Sequence, residues 1–327
     1  MESPGRVAVK WNIEPRRAPI QLSIVVPVYN SEKSLPSLVV RMAPLLADGR
    51  GELILVDDAS RDASWEAIRK ISGEPWSVRA IRLMRNSGQH AALLAGIRAA
   101  RGEIIITMDD DLQHPPEEVP KLLEKLAEGF DVVYGTPRRL PHSVWRNLAS
   151  WTTKIVVQRA MGAETARQVS AFRAFRTSLR DAFAHYYGAF VSIDVLLTWG
   201  TTRFAAVPVE HRSREVGRSN YTFRTLIVHA LTMVTGFSTL PLRLASLVGF
   251  CFTLVGLLVL GWVVGVFLLR HGSVPGFPFL ASIIAIFSGA QLFALGIVGE
   301  YLARMHVRTM GRPPYTIAEE IEATPPA

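Results

Sequence analysis

Ile104-Ile-Ile-Thr-Met-Asp109-Asp-Asp-Leu-Gln-His-Pro-Pro-Glu117 is the stretch on which the reading of this chain turns. A short apolar, β-branched run ends abruptly in three carboxylates, and a Pro-Pro pair then opens a helix. Runs of that kind are buried strands, and proline is pre-set for the first helical position. Asp109 and Asp111 stand two residues apart at a strand end, so both can face one divalent ion. A hard cation such as Mg²⁺ or Mn²⁺ takes oxygen ligands of this type and bridges a diphosphate. Gln113 and His114 follow closely enough to assist. The competing reading is a solvated acidic turn, and the rigid Pro-Pro start weighs against it.

Working outward, the same grammar repeats. Leu22-Ser-Ile-Val-Val-Pro-Val reads as a buried strand, and the helical spacing of 34–46 follows the capping residues Asn30-Ser31. Residues 52–58 are a second strand ending in Asp57-Asp58, with a helix from about Ala63. A third strand is predicted at 78–83, an Ala-rich helix at 89–100 closed by Gly102, a fourth strand at 103–108, a helix at 116–128 and a strand at 131–134. Strand and helix alternating at short intervals predict a parallel α/β sheet with helices on both faces. Asn30, Asp57, Asp58 and Asp109 to Asp111 all fall at the carboxyl ends of strands, the edge where open α/β sheets bind ligands. Ser60 or Asp62 can cap the next helix. Asp57 at the end of a buried strand needs a partner, for which a base or ribose donor is suited. Arg85-Asn-Ser-Gly-Gln89-His90 is a loop entering a small-residue helix, and His90 alone reads as structural.

The 327 residues carry a formal net charge of +8, with 49% hydrophobic and 20% charged residues. The basic balance fits an anionic membrane surface or a phosphate-rich substrate. No repeat of cations with interleaved aromatics favours nucleic acid. One cysteine, Cys251, excludes a disulfide framework and a Cys-based zinc site. Residues 1–20 are polar and basic without an apolar segment and read as a flexible tail, not a signal peptide. Neither 244–269 nor 276–299 contains a charge, and each exceeds the roughly 20 residues that cross a bilayer. The predicted organisation is a globular domain at 21–220, juxtamembrane helices at 221–241, two membrane helices within 242–303 (about 244–269 and 277–299), and a C-terminal tail at 304–327. The helix at 221–240 fits either a buried or an interfacial position. Arg224, Arg243, Arg304, His306, Arg308 and Arg312 lie on one side of the hairpin and Arg270 on the other, which places both termini in the cytoplasm.

Four ordered motifs (Pro27-Val-Tyr-Asn30, Asp57-Asp-Ala-Ser-Arg-Asp62, Arg85-Asn-Ser-Gly-Gln89 and Asp109 to Glu117) resemble family 2 glycosyltransferases of the GT-A, Rossmann-like α/β fold. The two C-terminal apolar runs narrow the resemblance to the polyprenyl-phosphate glycosyltransferases, the group of dolichol-phosphate mannose synthase and the bactoprenol glucosyl transferases. Gly88-Gln-His-Ala-Ala and Tyr134-Gly-Thr-Pro-Arg138 look most like the undecaprenyl-phosphate 4-deoxy-4-formamido-L-arabinose transferases. The resemblance implies transfer of a sugar, with inversion, from a nucleotide-sugar to undecaprenyl phosphate at the cytoplasmic face of a bacterial inner membrane, in cell-envelope glycan or lipid A modification. A UDP-sugar is the favoured donor, although the residues alone leave uracil and guanine open, and a homo-oligomer stays open as well.

By the same resemblance Pro27, Tyr29, Asn30, Glu32, Asp57, Asp58, Gln89, Asp109 and Asp110 hold the donor. Asp109, Asp111 and Gln113 hold a divalent metal, and Arg138, Arg146 and Ser150 take the acceptor phosphate. Arg214, in Arg214-Glu-Val-Gly-Arg-Ser-Asn-Tyr221, belongs to a loop that closes over the phosphates. The chain departs from the pattern at Ser31, where Glu is usual, at Ala59, where Gly is usual, and at Asn220, where Lys is usual. No role is assigned to Phe172 to Phe175 or to Asp194. Two rivals are a processive polysaccharide synthase and a non-catalytic membrane-anchored nucleotide-sugar-binding protein. Two membrane helices and the lack of a Gln-x-x-Arg-Trp segment oppose the first, and the intact acidic motif opposes the second.

Overall fold

The computed structural model describes residues 20–72, 77–137, 168–188, 190–211, 240–270 and 276–322. In chain order these form β1 (Leu22–Val28), α1 (Leu35–Leu46), β2 (Gly51–Asp57), α2 (Ser64–Ile71), β3 (Val78–Leu83), α3 (Gln89–Ala99) and β4 (Ile104–Thr107). A 3-10 turn at Pro116–Glu118 then leads into α4 (Val119–Ala127), followed by β5 (Val132–Pro137), β6 (Arg173–Arg176) and a second 3-10 segment at Thr177–Phe183. The chain continues through α5 (Ile193–Leu197), β7 (Phe204–Val209), α6 (Leu240–Arg270), α7 (Phe277–Thr309) and β8 (Ile317–Ile321).

The eight strands make one sheet in the order β7-β5-β6-β4-β1-β2-β3-β8. β1 pairs in parallel with β2 and β4, and β2 with β3, as the strand–helix alternation predicts. The sheet is mixed, however: β6 runs antiparallel to both β4 and β5, and β8 antiparallel to β3. β6 thus lies between two strands that it opposes in direction, in contrast to the parallel core.

Period-two alternation along the strands divides the core into two layers. Val25, Ile54, Val56, Ile81 and Ile105 pack against α3 and α5 on one face. Ile24, Val26, Leu53, Leu55 and Ile106 pack against α1, α2 and α4 on the other. The small residues of α3 let it lie tightly on the sheet. A Cβ on Gly96 would fall 2.3 Å from Val25 Cγ1, so this helix sits at a depth that only glycine permits.

α6 and α7 are both long and apolar enough to cross a membrane, over Pro241–Val266 and Ile286–Thr309. At about 1.5 Å per residue a 31-residue helix extends about 46 Å, more than a hydrocarbon core of ~30 Å. The two helices touch where Phe252 meets Phe287 edge to face at 5.6 Å and Gly256 makes room for the Phe287 ring. Elsewhere Phe250, Leu258, Leu292 and Phe293 are more than half exposed.

The segment expected as a tail from residue 304 has structure of its own. α7 continues through Arg304, His306 and Arg308 to Thr309, and after seven intervening residues β8 joins the sheet. It pairs along β3 from Leu83↔Ile317 to Ala80↔Ile321. Glu319 accepts from Trp65 Nε1 and pairs with Arg69, Glu320 pairs with Arg79 at 2.9 Å, and Glu322 with Arg101 at 2.9 Å. β8 thus covers an edge that would otherwise expose unpaired backbone groups, and it ties the end of α7 to the sheet. The 221–239 segment and the 271–275 connection lie outside the described residues.

Candidate active site

Among the described residues, three that are not glycine adopt positive φ, namely Asn30 (55°), Ala59 (55°) and Leu112 (56°). Each follows a strand of the parallel core, after β1, β2 and β4 respectively. Such conformations cost roughly 1 kcal/mol or more per residue and concentrate where a chain is shaped for function. The reason glycine is usual at position 59 is now visible: the turn needs the left-handed region, and Ala59 occupies it against its Cβ.

The turns after β1 and β2 close on one another through hydrogen bonds. Asn30 Oδ1 accepts from Arg61 N at 2.8 Å, and Ser60 Oγ accepts from Asn30 N at 3.0 Å. Glu32 accepts from Ala63 N at 3.1 Å, and Asp62 accepts from Glu32 N and from both N and Oγ of Ser64. Asp62 is therefore the residue that satisfies the start of α2, with its carboxyl held below the usual range by those bonds in spite of burial. Asn30 and Glu32 brace the β1 turn against the β2 turn.

Asp57 is fully buried, and the protein itself supplies the partner the sequence reading sought in a nucleoside. Ser60 N donates to Asp57 at 3.2 Å, and Arg82 Nε lies 3.4 Å from Asp57 Oδ2. Asp58 accepts from Ser87 N at 2.7 Å and Gly88 N at 2.8 Å, which pins the loop before α3. Burial raises the pKa of both carboxyls above its ordinary value, against the pull of these hydrogen bonds.

A cavity of about 250 Å³ opens between these turns at the carboxyl edge. Of the residues singled out in the sequence, Pro27, Tyr29, Asp58, Gln89, Asp109, Asp110 and Asp111 line it. Val28, Asn86 and Gly88 line it too; they lie inside the motifs Pro27 to Asn30 and Arg85 to Gln89. Asn30, Glu32, Asp57 and Gln113 are not among its lining residues. Gln89 Nε2 donates to Asp109 Oδ1 at 2.6 Å, and Gln113 N donates to Asp111 Oδ1 at 3.1 Å. Burial, reinforced by the Asp111 charge and opposed by a hydrogen bond with Ser31, pushes Asp110 up to about 6. His114 is buried between Phe172 and His211, with ring centroids 5.3 and 5.1 Å away. Burial and the neighbouring His211 lower its pKa to about 4, so it is neutral near pH 7. His90 is structural: Nδ1 accepts from Ile193 N at the start of α5.

Arg173 and Asp194, which no sequence rule assigned, form a buried ion pair beneath the acidic turn. Arg173 Nε donates to Thr107 Oγ1 at 3.0 Å, two residues before Asp109, and Tyr134 OH donates to Asp194 at 3.1 Å. Burial drives the Tyr134 phenol far above its usual pKa. Arg138, Arg146, Ser150 and Arg214 lie outside the described residues.

Residues 23–185 match the model of glycosyl transferase family 2. A protein from Pectobacterium carotovorum subsp. carotovorum (strain PC1) named undecaprenyl-phosphate 4-deoxy-4-formamido-L-arabinose transferase is 36% identical over 93% of this chain and 95% of its own. A relative of the same name from Pseudomonas aeruginosa (strain LESB58) is 39% identical over 94% of this chain and 93% of its own. Among solved structures, glucosyl-3-phosphoglycerate synthase from Mycobacterium tuberculosis matches with a TM-score of 0.51 and 19% identity, covering 66% of this chain and 77% of that one. Similarity along nearly the whole length of both relatives, on a sheet that gathers the acidic turns at its carboxyl edge, decides the assignment: the chain belongs to glycosyltransferase family 2 and is a glycosyltransferase.

Proposed function

We propose that the enzyme moves a sugar, with inversion, from a UDP-sugar to undecaprenyl phosphate at the cytoplasmic face of a membrane spanned by α6 and α7. The observation that carries this reading is the union, in one chain, of the acidic cavity and two exposed apolar helices, alongside relatives named for transfer to undecaprenyl phosphate. An acceptor with its phosphate at headgroup level and its tail in lipid requires a catalytic domain held at that level. The Arg-rich ends of α6 and α7 favour the cytoplasmic side for that domain.

Pro27, Tyr29 and Asn86 are suited to the nucleotide, and Asp109, Asp111 and Gln113 to a divalent cation. The donor set is hard oxygen, which fits Mg²⁺ or Mn²⁺. Among the described residues no cluster of three or more acidic, His or Cys groups is placed to enclose a metal; the donor's diphosphate would supply further oxygen ligands. The M. tuberculosis synthase was solved with Mn²⁺ and UDP. Bound here, the cation would neutralise charge on the departing diphosphate.

In the reaction an acceptor phosphate oxygen forms a bond to the anomeric carbon as the bond from that carbon to the diphosphate oxygen breaks on the opposite face. A phosphate dianion is a competent nucleophile near pH 7, so a general base is unnecessary. The protein contributes position and electrostatics. Gln89 orients Asp109, and the Arg173–Asp194 pair holds the strand end below it. Arg138, Arg146, Ser150 and Arg214 are assigned to the acceptor phosphate. The test is nucleotide release by purified enzyme over a panel of UDP-sugars, with and without undecaprenyl phosphate. Release from one donor that requires the lipid is expected; lipid-independent hydrolysis, or no release from any UDP-sugar, would overturn the assignment.

A further inference from the structure

A second cavity, of about 680 Å³, lies on the α3 side of the sheet, away from the acidic turns. One wall is the end of α7, at Arg308 and the following Gly311. The other is the chain after β6: Asp181, His185, Tyr186 and Tyr187, with Trp199 beside them. Two features set its character. Tyr187 and Trp199 are 54% and 52% exposed although they line a concave surface, and Trp199 stands edge-on to the buried Tyr186 at 5.5 Å. Arg308, at the other wall, is close enough for its charge to act on the Tyr186 phenol.

The level of this cavity along α7 is informative. Up to this point the helix carries exposed Leu292, Leu295 and Leu302; from Arg304 onward the cations Arg304, His306, Arg308 and Arg312 alternate with Met305, Val307 and Met310. The cavity therefore sits where an apolar helix surface gives way to a basic one, which for a spanning helix is the depth of phospholipid headgroups. Tyr and Trp with one apolar and one wet side belong at that depth, and basic pockets beside spanning helices take lipid phosphates. Arg98 supports the aromatic wall from behind, 5.6 Å from the Tyr187 ring and 5.7 Å from Tyr315 in the link to β8. That backing makes the wall part of the rigid domain.

We infer that this cavity binds the phosphate headgroup of a bilayer phospholipid, with Arg308 and His185 facing the phosphate and Tyr187 and Trp199 lining the glycerol region. The bound lipid docks the catalytic domain on the membrane at a site separate from the acidic cavity. The inference rests on the spanning reading of α6 and α7 but not on the identity of the sugar.

The experiment uses the full chain in detergent, titrated with dihexanoyl-phosphatidylglycerol while tryptophan fluorescence is followed. Trp199→Phe serves as the blank that isolates the Trp199 signal. A saturable Trp199 response is expected, with affinity about tenfold weaker in Arg308→Ala, the scale of losing one charge-assisted bond, and largely retained in Arg308→Lys. Native mass spectrometry of the same variants reads lipid retention without relying on Trp199. Inorganic phosphate and geranylgeranyl phosphate form the other arms. No saturable response to the phospholipid would overturn the inference. So would indifference to Arg308→Ala, equal affinity for free phosphate, or a response to the polyprenyl phosphate alone, which would make the cavity part of the acceptor site. Alkali-resistant flotation of the full chain with phosphatidylcholine vesicles separately reports whether α6 and α7 insert, so failure of the headgroup site and failure of the spanning reading are distinguished.

Discussion

Two strand ends of this molecule carry nearly the same acidic text, Asp57-Asp58 after β2 and Asp109-Asp110-Asp111 after β4, and the fold uses them differently. The first pair is buried, although Asp58 still borders the cavity. Asp57 has no exposed surface and Asp58 is 3% exposed; their oxygens are taken up by Ser60 N, Arg82, Ser87 N and Gly88 N. The second group is half-buried, and all three of its residues line the cavity. The difference teaches that a carboxylate at a strand's carboxyl end can be an internal acceptor for main-chain N–H groups or a charge presented to a ligand. Which it becomes depends on the loop packed opposite. Around β2 that loop is Arg85 to Gly88, which turns its N–H groups inward. Around β4 it is the Gln89 side chain, which steadies Asp109 and leaves the cavity open.

If the comparison is right, the largest effect belongs to the open group and appears in turnover alone. Asp111→Ala should lower lipid-dependent nucleotide release by about 10²–10³-fold, the scale of removing a principal electrostatic stabiliser, with an unchanged melting temperature. A comparable loss of stability would place Asp111 with the buried pair and break the contrast.

The next effect is thermodynamic. Asp58→Ala strands two main-chain donors and should destabilise the domain by about 2 kcal/mol, measured by urea unfolding. Asp58→Asn keeps one acceptor oxygen and should cost less. Equal costs for Ala and Asn would show that the loop does not depend on these bonds.

A smaller effect is expected from pH. Burial raises Asp57 and Asp58 above the ordinary 3.8, so the folded state binds their protons more tightly than the unfolded chain does. Their stabilising contribution is full below about pH 3.8 and is lost as pH rises through the raised folded values. The melting temperature of Asp57→Asn relative to wild type should therefore improve as pH rises across that window. A flat difference would mean that Arg82 and Ser60 N compensate the charge fully.

The smallest effect marks the boundary of the argument, at carboxylates that face water. Arg101 and Glu322 pair at 2.9 Å with both side chains about half exposed. Arg101→Ala should shift stability by about 0.5 kcal/mol or less; a larger loss would mean that β8 anchoring depends on this pair.

Most of the parallel core was legible in the amino-acid sequence. β1 to β4 are apolar runs stopped by polar turns, and α3 announces itself through small residues closed by Gly102. β6 (Arg-Ala-Phe-Arg) and β8 (Ile-Ala-Glu-Glu-Ile) were not, because neither is long, apolar or cleanly alternating. Each is a strand because the fold delivers a partner from far along the chain: β4 for the first, β3 for the second. The cavity was legible in part, since motif order named seven of its lining residues, while Val28, Asn86 and Gly88 lie inside the same motifs, which assign them no role.

By itself, then, the sequence determined where this chain would form buried strands, which strand ends would be acidic, and that two apolar helices follow; these depend on composition and periodicity within a few residues. Tertiary structure alone decided that Asp57 is sealed while Asp109 lines a cavity, that Arg173 meets Asp194 beneath it, and that the C-terminal segment closes the sheet. Those outcomes depend on groups 20 to 254 positions apart in the chain, from Gln89 with Asp109 to Trp65 with Glu319. Burial sets their energies, and no local window of sequence contains it.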